Sequence, residues 1–360
     1  MTRASSCTHF PAVDAVKAVA SNLIVWHHLV FYGTMSEAVR PVAPGLMDWL
    51  SDQARIFVQA FLVVGGFLAA RSLTPKFLGR TGASLLPVLW SRYARLMQTY
   101  LVALAVAIAC AAIARHLSAD PSIPAAPSLI QVLAHLFLLQ DIIGQEALSA
   151  GVWYVAIDFQ LYALLALILW AARSDAAAID QNAGRLATGA CIVLTVAALA
   201  WLNRDSSLDS WAIYFFGAYG LGVLAQRLTA DGRGGTATIV VTAMTAGALL
   251  IEWRSRVLVA GVTALLLVWC SVGRISPRWA GSRLTAFFGR ISYTLFLIHY
   301  PVCLLVGNLV HGFWPDSTAM NAVGLASAWL LSIAAADALH RLTEVSDAPI
   351  RLVPARNAGA

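Results

Sequence analysis

Apolar blocks about as long as a bilayer is thick follow one another along almost the whole chain. This pattern constrains the fold more than any single motif does. A helix needs about 20 apolar residues to cross the hydrocarbon core. In that medium every backbone polar group must be satisfied inside the protein, which suits blocks of this length to helices. The blocks place helices near residues 13–32, 55–73, 96–114, 152–172, 187–203, 209–227, 237–252, 256–273, 286–310 and 320–339. The expected fold is therefore all-α: a polytopic integral membrane bundle of about ten transmembrane helices. The stretch 128–143 is apolar but short and contains Asp141, which suits an interfacial or re-entrant segment. No polar stretch is long enough for a separate soluble domain. Residues 1–345 read as one transmembrane domain and 346–360 as a short polar cytoplasmic tail.

Composition supports this reading. The chain is 59% hydrophobic and 12% charged, a balance that excludes an ordinary soluble domain. Its formal charge of +6 does not point to nucleic acid, because the basic residues punctuate the ends of apolar blocks. With the N-terminus inside, those residues favour the inner ends and loops by about three to one, which puts both termini in the cytoplasm. The arginine- and alanine-rich usage suggests a bacterial chain, hence the inner (plasma) membrane. Cys7, Cys110, Cys191, Cys270 and Cys303 lack metal-ligand spacing and read as small buried hydrophobes, so no metal is expected. The first block carries two histidines and no small-residue cleavage site. It is expected to remain as a helix and not to be removed as a signal peptide.

That first block, Asp14–Tyr32, holds Asp14, Lys17, His27 and His28. Ionisable side chains inside a span are costly and mark a functional interior face. Lys17 and His28 are eleven residues apart, three turns plus about 20°, so they share one stripe about 16 Å long. Asp14 sits one turn before Lys17 and can pair with it. His27 points about 100° away from His28. In the fourth block, Asp158 lies inside apolar sequence with Tyr154 and Tyr162 one turn to either side, and needs a basic partner on another helix. Arg92 and Arg95 are one turn apart and suit a phosphate. Together with Arg71, Lys76 and Arg80 they make this the most basic inner loop. Gly65-Gly66 would allow close helix packing, or leave room for a thin substrate arm. Ser292 and His299 share a stripe about 10 Å long, and Pro301 is expected to break the helix beside His299.

Taken in order, these stretches resemble the integral-membrane acyltransferase-3 family. The basic residue, ten-residue gap and histidine of that family's first helix are matched by Lys17 and His28, with Asp14 as the preceding acid. Its Ser-Gly-Phe-Leu is similar to Gly65-Gly66-Phe67-Leu68, and its paired arginines to Arg92 and Arg95. Its Trp-Ser-Leu-Ser-Val-Glu-x-Gln-Phe-Tyr looks like Trp153 to Tyr162, with Asp158 in the Glu position. Its Ile-Ser-Tyr-x-x-Tyr-Leu-x-His-x-Pro looks like Ile291 to Pro301.

The resemblance implies an O-acyltransferase that moves an acyl group, most simply acetyl, from acyl-CoA to a carbohydrate hydroxyl. The acceptor would belong to an exopolysaccharide, a lipopolysaccharide or a lipid-linked glycan. It implies His28 as base, with Asp158, Lys17 and Asp14 around it, and Arg92, Arg95 and Arg71 on the phosphates of acetyl-CoA. His27, Tyr162, Trp153, Ser292 and His299 would face substrate, and Asp158 would orient His28 or another basic group. The rival reading is a proton-coupled transporter or flippase, because buried Asp, Lys and His also build proton paths.

Overall fold

The computed structural model describes residues 10–79, 82–118, 123–173 and 181–344. Among them there is no strand. The helices are α1 (Pro11–Phe31), α2 (Thr34–Val39), α3 (Pro44–Asp52), α4 (Val58–Phe77), α5 (Leu85–Leu117), α6 (Leu129–Leu136), α7 (Val152–Ala172), α8 (Gln181–Ala200), α9 (Ala212–Ala230), α10 (Gly234–Ile251), α11 (Ser255–Ser271), α12 (Arg283–Phe313) and α13 (Thr318–Glu344).

Ten of these helices have 17 or more residues and fall on the ten apolar blocks. Seven are long and apolar enough to cross a membrane: α4, α5, α7, α8, α10, α12 and α13. The remaining three fall short for physical reasons. Helix α1 carries Asp14 and Lys17, and α11 has 17 residues. Helix α9 is wrapped by other helices, with fourteen of its nineteen residues buried, so its outer surface need not match lipid. The short stretch 128–143 forms only α6 before breaking into turns. Helix α5 begins at Leu85, so Arg92 and Arg95 lie within its early turns and not in a loop. The break expected at Pro301 does not occur. Helix α12 runs through it to Phe313, packed on both α1 and α13, as neighbouring helices allow in a membrane protein. Residues 345–360, including the expected tail, lie outside the described residues.

Two apolar cores meet along a seam. One is built on α4 and α7–α11, with Ala20 and Ile24 of α1; the other on α5, α12 and α13, with Val25 and Leu29 of α1. Helix α7 is divided in the same way, with Leu161 and Leu165 in the first core and Val155 and Ala156 in the second. The polar side chains of α1 and α7 therefore have one sheltered place to go, the gap between the cores.

The first core depends on a backbone contact between α4 and α9. A Cβ on Gly66 would lie 2.0 Å from the Tyr219 carbonyl oxygen, and one on Gly222 would lie 1.9 Å from that of Val63. Gly65, in contrast, faces the gap, with Asp158 Oδ1 at 3.4 Å and the Tyr219 ring at 3.5 Å from the Cβ position. The two expected uses of the glycine pair are thus divided between its members: Gly66 packs helices, and Gly65 leaves space. Gly66→Ala is expected to destabilise the bundle by roughly 3 kcal/mol, because backbone must move. Gly65→Ala should leave the monodisperse yield in detergent unchanged. Equal yields for the two variants would refute this division.

Candidate active site

The gap holds a cavity of about 460 Å³. Lys17 enters it from α1, Gly65, Ser72 and Lys76 from α4, Arg92 and Arg95 from α5, Asp158 and Tyr162 from α7, Tyr219 from α9 and Ser292 from α12. Its lining carries four basic side chains and one carboxylate, Asp158.

Asp158 is paired with Arg92, with Nη2 to Oδ2 at 2.5 Å. The guanidinium lies over the Tyr162 ring, 5.1 Å from its centre. A charged pair and an aromatic face hold the arginine where its Nε still has no hydrogen-bond partner among the described residues. The buried Tyr219 hydroxyl is also unpartnered there. Lys17 is within Coulombic reach of Asp14, Arg92 and Asp158. Asp14 itself packs against α12, where a Cβ on Gly289 would meet its side chain at 2.5 Å.

His28 lies beyond the cavity. Its Nδ1 is 2.6 Å from His299 Nε2, and the two rings are within 2° of parallel. His299 Nδ1 is 3.0 Å from the Leu295 carbonyl. A carbonyl can only accept, so His299 Nδ1 carries a proton and, in the neutral ring, its Nε2 accepts. His28 Nδ1–H must then be the donor to it, which leaves the lone pair of His28 on Nε2. The chain Leu295 carbonyl, His299, His28 thus fixes both tautomers and leaves the basic nitrogen of His28 outside that chain. Such a nitrogen can take a proton from a hydroxyl placed against it.

His27 is turned away and donates from Nδ1 to the Leu50 carbonyl at 3.1 Å. Asp158 does not orient His28, because its carboxylate is taken up by Arg92 on α5. Arg95, Tyr162 and Ser292 line the cavity, whereas Arg71 and Trp153 do not. Trp153 packs at a tilt against Phe215, with ring centres 5.6 Å apart. Tyr219 was not singled out from sequence, although its block places it among Gly217, Gly220 and Gly222, a pattern of close helix approach. Phe61 and Phe296, which also line the cavity, lacked any signal that distinguishes them from lipid-facing aromatics.

Curated proteins and solved structures contain no match to this chain. The family model described as an acyltransferase domain, that of acyltransferase family 3, matches residues 10–341. That span includes the histidine pair and every cavity residue named above. The chain belongs to the acyltransferase-3 family and is a multi-pass membrane acyltransferase.

Proposed function

We propose that the protein moves an acetyl group from acetyl-CoA to a hydroxyl of a cell-envelope carbohydrate in the bacterial inner membrane. The observation that carries this reading is one helix, α1, which presents Lys17 to a basic cavity and His28 to an orienting histidine. The cavity's cations suit the phosphates and polar arm of the donor. Arg95 is the one best placed to bind phosphate, since Arg92 already holds Asp158.

In the reaction, His28 Nε2 takes the proton of the acceptor hydroxyl. The resulting oxygen nucleophile attacks the thioester carbonyl, an ester C–O bond forms and the C–S bond breaks. The thiolate leaves and recovers the proton from His28, so the imidazole ends neutral. His299 holds the ring during the cycle.

The test is CoA release by purified protein given acetyl-CoA, with and without a crude envelope-glycan fraction. Release that requires glycan supports the reading. No release with any acyl donor, from folded protein, refutes it and favours transport along the same buried histidines.

A further inference from the structure

His28 and His299 are not among the residues that line the cavity. Three helices end their share of the cavity lining on an aromatic ring. Phe61 is the first lining residue of α4, Tyr154 the first of α7 and Phe296 the last of α12. Their ring centres are 6.1 Å apart for Phe61–Tyr154, 6.1 Å for Phe61–Phe296 and 5.1 Å for Tyr154–Phe296. All three are buried. On the far side, the His299 ring centre is 6.2 Å from that of Phe296 and one helical turn further along α12. The wall has its own support: a Cβ on Gly151 would lie 2.6 Å from the Phe296 carbonyl oxygen and 3.1 Å from its Cε1, so the missing side chain admits the α12 backbone and the ring together.

We propose that Phe296 is a specificity-determining residue, whose ring closes the passage from the donor cavity to the His28–His299 pair and admits only short acyl groups. Of the three rings, Phe296 alone borders both compartments. An acyl group that reaches His28 from the cavity must displace it. A two-carbon group needs a small excursion of one ring, whereas a long chain needs the wall to stand open. The same ring keeps cavity water from the thioester carbonyl while it is near the base. This proposal rests on the cavity being the donor site, and the two are tested apart.

The wall is tested without turnover. In the full-length chain, His299→Cys is the reporter, Cys191 is retained as an equally buried control, and the other cysteines are replaced by alanine. Methanethiosulfonate reagents are applied from each membrane face in turn. Adding Phe296→Ala should speed labelling at position 299 at least tenfold from one face only, with Phe296→Leu intermediate and Cys191 unchanged. Equal rates, or a parallel rise at Cys191, would overturn the wall. Selectivity is tested in the otherwise unmodified protein. Phe296→Ala, or Phe296→Leu if alanine does not fold, should raise the ratio of octanoyl to acetyl turnover at least tenfold and increase CoA release without acceptor. An unchanged ratio would overturn the proposal even if labelling accelerates. If the unmodified protein uses no acyl-CoA at all, the donor reading falls and the selectivity claim with it, while the labelling result still decides the wall.

Discussion

His28→Ala is expected to reduce acyl transfer by roughly 10³-fold or more, within the range that general-base catalysis contributes, while the protein stays folded and still binds donor. The effect should fall on kcat, because His28 lies outside the cavity that holds the donor cations. His299 offers the sharper test. Its removal deletes one hydrogen bond to a ring that becomes charged in the reaction, which is worth about 1.5–3 kcal/mol, or roughly 10- to 150-fold. His299→Gln presents a carbonyl oxygen that can accept from His28 Nδ1–H, so it should recover part of the loss seen with His299→Ala. A purely structural role would not distinguish the two substitutions in kcat. His27→Ala should leave kcat within a few-fold, since that ring is bound to the Leu50 carbonyl on the other side of α1. If His27→Ala matched His28→Ala in its loss of kcat, the assignment would be reversed.

Asp158→Ala is expected to be the most damaging single change to stability in the cavity. It leaves the Arg92 guanidinium, within Coulombic reach of Lys17, without the carboxylate it is paired with. Breaking such a pair from one side costs about 3–5 kcal/mol, a large part of the 5–15 kcal/mol that usually separates folded from unfolded protein. Arg92→Met should cost less, because Lys17 remains as a counter-charge for Asp158. The double variant Arg92→Met/Asp158→Leu should regain most of the stability and none of the activity. Thermal unfolding in detergent, combined with CoA release, measures both quantities. Were Asp158→Ala as stable as the parent, the pair would be ornamental to the fold.

What the sequence made legible was whatever lies within one helix. The Lys17–His28 stripe, the shared direction of Arg92 and Arg95, and the turn of about 100° between His27 and His28 all follow from 3.6 residues per turn; Arg92 and Arg95 both line the cavity, and His27 and His28 take different partners. What spacing could not supply were partners on other helices. Asp158 was expected beside a basic group, but nothing along the chain says that α5 supplies it or that Arg92 therefore has less to offer a phosphate. On spacing alone, His299 reads as a satisfied core residue rather than as a catalyst. The geometry makes it satisfied by Leu295 and coupled to His28 together. Arg71 illustrates the reverse limit: its proximity in sequence to Lys76 suggested a shared task, but Lys76 lines the cavity and Arg71 does not. Seven of the ten expected spans are apolar enough along their whole length to cross a membrane, and α9 is not among them for a related reason. Apolarity reports contact with lipid, and α9 has little such contact because protein surrounds it.

The partner of His28 is an imidazole and not a carboxylate. A carboxylate buried at that depth would carry a Born penalty of several kcal/mol at all times and would call for a permanent counter-ion. Two neutral rings closed by a peptide carbonyl carry none. The resting dyad is thus electrically silent inside a low-dielectric slab. On the mechanism proposed here, a charge exists there only for as long as the imidazole holds the acceptor's proton.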